Sequence, residues 1–189
     1  FMLSDGAGAV LVQDHPEGTC PLKIEWVDMT SYANELPTCM FMASELQENG
    51  RLKSWKEFSP DEIKERAVLV GKQDIRQLKK YIIKYWVDHI ETVLAKHHVK
   101  AEEIDYVIPH VSSMFFYEKL NDEIAARNIA LTKEKWFTNL TSVGNIGSAA
   151  IYVALEEFIR TKEIKRGNKI LLLVPESGRF SYGTVLLSV

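Results

Sequence analysis

Cysteine is scarce in this 189-residue sequence: only Cys20 and Cys39 occur. Two are too few for a disulfide scaffold, and neither has the CxxC spacing or the nearby histidine of a zinc site, so both read as reduced thiols and no metal is expected. Long hydrophobic runs are missing too. No stretch approaches the ~20 consecutive apolar residues of a membrane-spanning helix, and no basic-then-apolar leader opens the chain. Charge of one sign is also lacking: 23 basic and 26 acidic residues are spread along the chain for a net charge of −3. Nucleic acid and membrane surfaces are therefore not expected partners. Neither a Walker lysine nor GxGxxG spacing is present, so no phosphate-binding loop is expected. Internal repeats, low-complexity tracts and coiled-coil heptads are absent. These exclusions leave a folded, cytoplasmic protein.

What is present is apolar: 46% of the residues are hydrophobic, enough for one good core. The start, Phe1-Met2-Leu3-Ser4-Asp5-Gly6-Ala7-Gly8-Ala9-Val10, runs into an apolar segment with no polar lead-in. It reads as an interior piece of a longer chain, with residues 1–189 forming one domain.

The continuous apolar run Ala9-Val10-Leu11-Val12 predicts a strand buried on both faces. The alternation from Lys23 to Met29 predicts a second, less buried one. Residues 31–71 are irregular, except that Ser59, Pro60 and the acids that follow read as a helix start. Ile75, Leu78, Ile82, Trp86, Ile90, Val93 and Leu94 fall at helical spacing and predict a long amphipathic helix over 72–98. A short strand follows at Tyr106-Val107-Ile108, then a helix over 112–127 and an alanine-rich helix beginning near Asn145. Strands over 169–174 and 183–189, joined by a tight turn, close the chain as an antiparallel pair. The order predicts a layered α/β unit, with helices packed on a five-stranded mixed sheet that is mostly parallel.

Four segments carry candidate chemistry. His110 follows a strand and a proline; carboxyl ends of strands are where α/β proteins bind ligands, although a histidine there is also a common packing residue. In Val143-Gly144-Asn145-Ile146-Gly147 an asparagine sits between glycines, either as a helix cap or as a side-chain donor aimed into a cleft. Residues 175–183 form either a plain hairpin turn or a loop whose backbone N–H groups face a substrate oxygen. The small residues of Ser4-Asp5-Gly6-Ala7-Gly8-Ala9 permit close backbone packing. His89, His97 and His98, on or beside the long helix, read as solvated. The Met40-Phe41-Met42 knot is either packing or an acyl-binding wall.

Taken together, these motifs resemble the C-terminal half of the thiolase-fold condensing enzymes and are most similar to beta-ketoacyl-ACP synthase III. The resemblance rests on five features in order: Asp5-Gly6-Ala7-Gly8-Ala9, Ile108-Pro109-His110, Gly144-Asn145 before the alanine-rich helix, Ile164-Lys165-Arg166-Gly167-Asn168-Lys169, and the closing hairpin. It implies an acyltransferase of fatty-acid or specialised lipid and polyketide synthesis, with no resident cofactor. Its partners would be acyl carrier protein or coenzyme A thioesters, and the full-length protein would be a homodimer. His110 and Asn145 would stabilise an enolate, and the Gly178 backbone N–H would help hold an acyl-cysteine carbonyl. The nucleophilic cysteine would lie in the other half, and neither Cys20 nor Cys39 takes its place, so the piece alone should be inactive.

Three departures stand out. Where the family commonly reads His-Gln-Ala-Asn and then an arginine, this chain has His110-Val111-Ser112-Ser113-Met114-Phe115, so Ser113 and Phe115 become candidate pocket residues and carrier docking changes. Glu176 replaces an aromatic residue beside the active site. Residues 36–72 have no counterpart by composition. Glu176 keeps open acyl transfer to an oxygen or nitrogen nucleophile without decarboxylation, and a non-catalytic partner subunit is a third reading.

Overall fold

A computed structural model describes residues 3–15 and 22–189, so Cys20 lies outside the described residues. Along the chain run β1 (Lys23–Ser31), β2 (Met40–Phe41), β3 (Ser44–Leu46), β4 (Leu52–Ser54), α1 (Pro60–Glu65), β5 (Lys72–Gln73) and α2 (Ile75–Lys96). β6 (Tyr106–Pro109), α3 (Met114–Ala126), α4 (Leu140–Val143), α5 (Ala150–Thr161), β7 (Lys169–Glu176) and β8 (Ser181–Ser188) follow.

The main sheet has the order β1-β8-β7-β6, with β6 parallel to β7 and the other two ladders antiparallel. It is mixed, as expected, but four-stranded and mostly antiparallel. The missing fifth strand is the run at residues 9–12. It lies unpaired, with Leu11 83% exposed. Apolar character does not make a strand without a neighbour to complete its ladder, and among the described residues this segment has none. The two early segments also exchange their expected burial. Trp26, Asp28 and Thr30 of β1 turn partly inward while Val27 and Met29 face out.

Helices cover both faces of the sheet. Val107, Leu171, Leu173 and Leu186 pack with Trp86, Ile90 and Leu120 of α2 and α3, whereas Ile108, Ile170, Leu172 and Leu187 pack with Ile151 and Phe158 of α5. Each strand thus splits its apolar residues between two cores by the two-residue alternation of a pleated strand. Around this frame, residues 36–73 form two small two-stranded sheets, β2 with β5 and β3 with β4. Met40 and Met42 are exposed. α1 begins as expected, with Ser59 and Glu62 in a reciprocal capping box and Pro60 in the first turn.

α2 is capped by Asp74, whose carboxylate accepts the N–H groups of Arg76 and Gln77 at 2.9 and 3.1 Å. His89 and His97 correct the expectation of solvated side chains, whereas His98 is exposed as expected. His89 is fully buried, with Nε2 2.9 Å from Thr184 Oγ1 of β8 and Nδ1 without a partner among the described residues. It lies three residues beyond Trp86, on the stripe of the helix that packs against the sheet. His97 stacks on Trp26 with ring centroids 4.1 Å apart and reaches Asp28 at 2.9 Å, tying the end of α2 to β1. His98 takes the left-handed conformation just past the helix end, at φ 53°.

Burial holds the His89 imidazole neutral below its ordinary pKa of 6.5, while Asp28 and Lys96 act on it with opposite signs. The unfolded chain takes up the extra proton first, so the stability this residue contributes is complete above pH 6.5 and is lost as the pH falls toward the folded value. Denaturant titrations on the acid side of neutrality should show wild type losing stability more steeply than His89→Gln. Parallel slopes would reject this account.

Candidate active site

His110 is placed by the sheet. β6 pairs with β7 through Pro109 and Leu173, and the His110 N–H continues the ladder onto the Leu173 carbonyl at 2.8 Å. The chain then turns, with Val111 buried, into the N-cap of α3 at Ser113. This leaves the imidazole half-buried at the carboxyl end of a parallel strand. Burial lowers its pKa, which keeps it neutral near pH 7, and no hydrogen bond to its ring is found among the described residues. A neutral, unengaged imidazole can offer one N–H to a substrate.

His110 lines a small cleft of about 20 Å³ whose other walls include Thr138, Asn139, Gly144, Ala150 and Ala154. The small residues matter here. Alanines in the first turns of α5 let the helix close on Ile108 and its neighbours while leaving room at its mouth. Gly144 ends α4 at φ 82° and ψ −177°, a conformation essentially restricted to glycine, and a β-carbon there would run into Ser4 Oγ. Asn145 follows this turn and does not itself line the cleft.

Asn145 is fixed at both ends. Its carbonyl accepts the Ser4 N–H at 2.8 Å, and its side-chain Oδ1 accepts the Gly147 N–H at 3.1 Å. With Oδ1 engaged, Nδ2 is the donor left over. Asn145 does not begin a helix, as its sequence suggested: a 3₁₀ turn at Gly147–Ala149 intervenes and α5 starts at Ala150. The glycines of the first segment lie against this region, because a β-carbon on Gly6 would sit 2.8 Å from Ile146 Cδ1 and one on Gly8 2.7 Å from Tyr152 Cβ. Asn139 anchors the other side, donating from Nδ2 to Glu157 of α5 at 2.7 Å. No spacing in the sequence singles out Asn139, since its partner is on a different helix.

The remaining candidates sit apart. Ser113 begins α3, and Phe115, half exposed, meets Phe116 edge-on at 5.2 Å with Lys79 Nζ 5.8 Å from its ring. Glu176 ends β7 and Gly178 belongs to the β7–β8 connection, and neither lines the His110 cleft. Gly178 is buried, its carbonyl accepts the Cys39 N–H at 2.9 Å, and Ser177 Oγ accepts from Gln73 Nε2 at 3.0 Å. The Gly178 N–H is taken by Glu176 Oε1, while Glu176 Oε2 accepts the Arg179 N–H at 3.0 Å. Cys39 is fully buried and burial pushes its thiol up to about 11, so it carries no thiolate at neutral pH.

The family described as 3-Oxoacyl-[acyl-carrier-protein (ACP)] synthase III C terminal matches residues 94–189, from the end of α2 through β8. The chain belongs to this family. Among synthase III relatives, the beta-ketoacyl-[acyl-carrier-protein] synthase III of Clostridium perfringens is 27% identical over 188 residues, covering 100% of this chain and 52% of the relative. That of Aquifex aeolicus is 34% identical over 112 residues, covering 59% of this chain and 34% of the relative. The crystal structure of 3-oxoacyl-[acyl-carrier-protein] synthase III from Aquifex aeolicus superposes with a TM-score of 0.60 at 25% identity, over 92% of this chain and 46% of that one. The chain spans about half the length of the full-length curated relative it matches. His110, Asn145, Glu176 and Gly178 fall inside the synthase III match, and Cys39 falls outside it.

Proposed function

We propose that this chain is the C-terminal, enolate-stabilising half of an acyltransferase that condenses an acyl thioester with a malonyl thioester. The observation that carries the reading is the cleft at the end of β6, which His110 shares with Gly144, the residue before Asn145. An acyl group rides on a cysteine of a half that lies outside this sequence. The malonyl thioester loses CO2, and the electron pair of the broken carbon–carbon bond moves into an enolate. Negative charge develops on the thioester oxygen, where His110 Nε2–H and Asn145 Nδ2–H donate. The enolate carbon then attacks the acyl-cysteine carbonyl, whose oxygen is held by the Gly178 N–H, and collapse expels the cysteine thiolate. The substrates are coenzyme A or carrier-protein thioesters, with no resident cofactor or metal, in a cytoplasmic homodimer serving fatty-acid or related lipid synthesis.

Incubating the full-length protein with acyl-CoA and either malonyl-ACP or malonyl-CoA should release CO2 in step with a β-ketoacyl product. Acyl transfer to an alcohol or amine acceptor with no CO2 would overturn the condensing reaction. No acyl-enzyme at all would favour a non-catalytic subunit.

A further inference from the structure

Two successive backbone N–H groups, those of Gly178 and Arg179, converge on a single carboxylate, and each oxygen of Glu176 takes one of them. Successive N–H groups arranged this way form a concave anion site. We propose that Glu176 is the resident ligand of this oxyanion nest and so controls when the nest receives an acyl carbonyl. The inference rests on the condensing-enzyme reading for the identity of the incoming ligand, but the occupied nest stands on its own geometry.

The nest is built by the scaffold. Behind it, the Gly178 carbonyl is held by the Cys39 N–H, and Ser177 is held by Gln73 next to the start of α2. On its far side Phe180 is fully buried at φ 52°, where the chain enters β8. These contacts aim the N–H groups from the protein side, so the donors keep their direction when the carboxylate leaves. Glu176 itself is exposed and can swing into solvent. Gly178 also lacks the side chain that would obstruct the plug: a β-carbon there would lie 2.6 Å from Glu176 Oε1.

Occupancy has a kinetic consequence. In acyl loading, the enzyme thiolate adds to the donor's carbonyl carbon and the carbonyl π pair moves onto oxygen. Return of that pair expels the donor's thiolate. The nest serves the oxyanion stage, yet a substrate arrives as a neutral carbonyl, a weaker acceptor than the carboxylate already in place. Glu176 must be displaced on every turnover. Competition worth one net hydrogen bond slows loading by roughly five- to tenfold.

The test uses the full-length protein with Glu176→Ala and Glu176→Gln, where glutamine keeps one acceptor of the two. Acyl-enzyme formation followed by mass spectrometry should rise about fivefold or more in E176A and by less in E176Q. Added formate should slow loading in E176A, where it refills the nest, and leave wild type unaffected. Independently of any reaction, the Gly178 amide proton in glycine-labelled protein should move upfield in E176A, as it loses a charged acceptor. An unchanged Gly178 resonance, or loading in E176A that does not rise and ignores formate, would overturn the plug. If wild type never loads an acyl group, the condensing function fails, and the Gly178 resonance still decides whether the nest is occupied.

Discussion

His110→Ala in the full-length protein is expected to lower malonyl decarboxylation by about 10²–10³-fold while acyl loading survives. The size follows from the type of interaction: one donor aimed at developing charge is worth that much in a site that excludes water, and burial holds this imidazole neutral with its ring unengaged. Loading should survive because, in the proposed mechanism, the thioester carbonyl in that step would be served by Gly178, on the β7–β8 connection. His110→Gln, which keeps an N–H donor, should retain part of the rate. Asn145→Ala should resemble His110→Ala, and the double variant should cost less than the product of the two, since both donors serve one oxygen. Decarboxylation and loading are measured separately, by CO2 release and by mass of the acyl-enzyme. Equal loss of both would reject the assignment.

Gly144→Ala should be nearly as damaging without touching a donor. At φ 82° and ψ −177° an alanine is strained by about 1–3 kcal/mol, and its β-carbon also meets the Ser4 hydroxyl. At about 2–4 °C per kcal/mol for a chain of this size, the melting temperature should fall measurably. The larger effect is on chemistry. Relief of the strain moves Asn145, and a displacement of about 1 Å in a positioned group costs on the order of 10²-fold. Adding Ser4→Gly removes the hydroxyl and should recover part of the melting temperature, but little of the decarboxylation, because the backbone strain stays. A G144A protein with native melting temperature and native decarboxylation would show that this turn does not position Asn145.

Several features are legible in the sequence. The apolar spacing from Leu78 to Leu94 marks α2, and the Ser59, Pro60 and Glu62 pattern marks α1, because capping and helical periodicity are local properties. His110 at a strand end, Asn145 between glycines and a hairpin closing the chain are equally local. What escaped depends on which surfaces meet. His89 reads as one more polar residue on a lysine-rich helix until β8 is laid against it. Asn139 is unremarkable until Glu157 comes within 2.7 Å.

By itself, then, the sequence determined the helices α1 and α2, the closing hairpin and the places of the chemical groups along the chain, since helix stripes, caps and glycine turns are written in neighbouring residues. Tertiary structure alone decided that residues 9–12 pair with no strand among the described residues, because a ladder needs a partner that local sequence does not supply. It decided that the sheet is mostly antiparallel, and that Gly178, chosen by resemblance as a free donor, already holds Glu176. The physical reason is common to all three. Backbone hydrogen bonds are satisfied by whichever group is nearest in space, and nearness in space is a property of the folded chain.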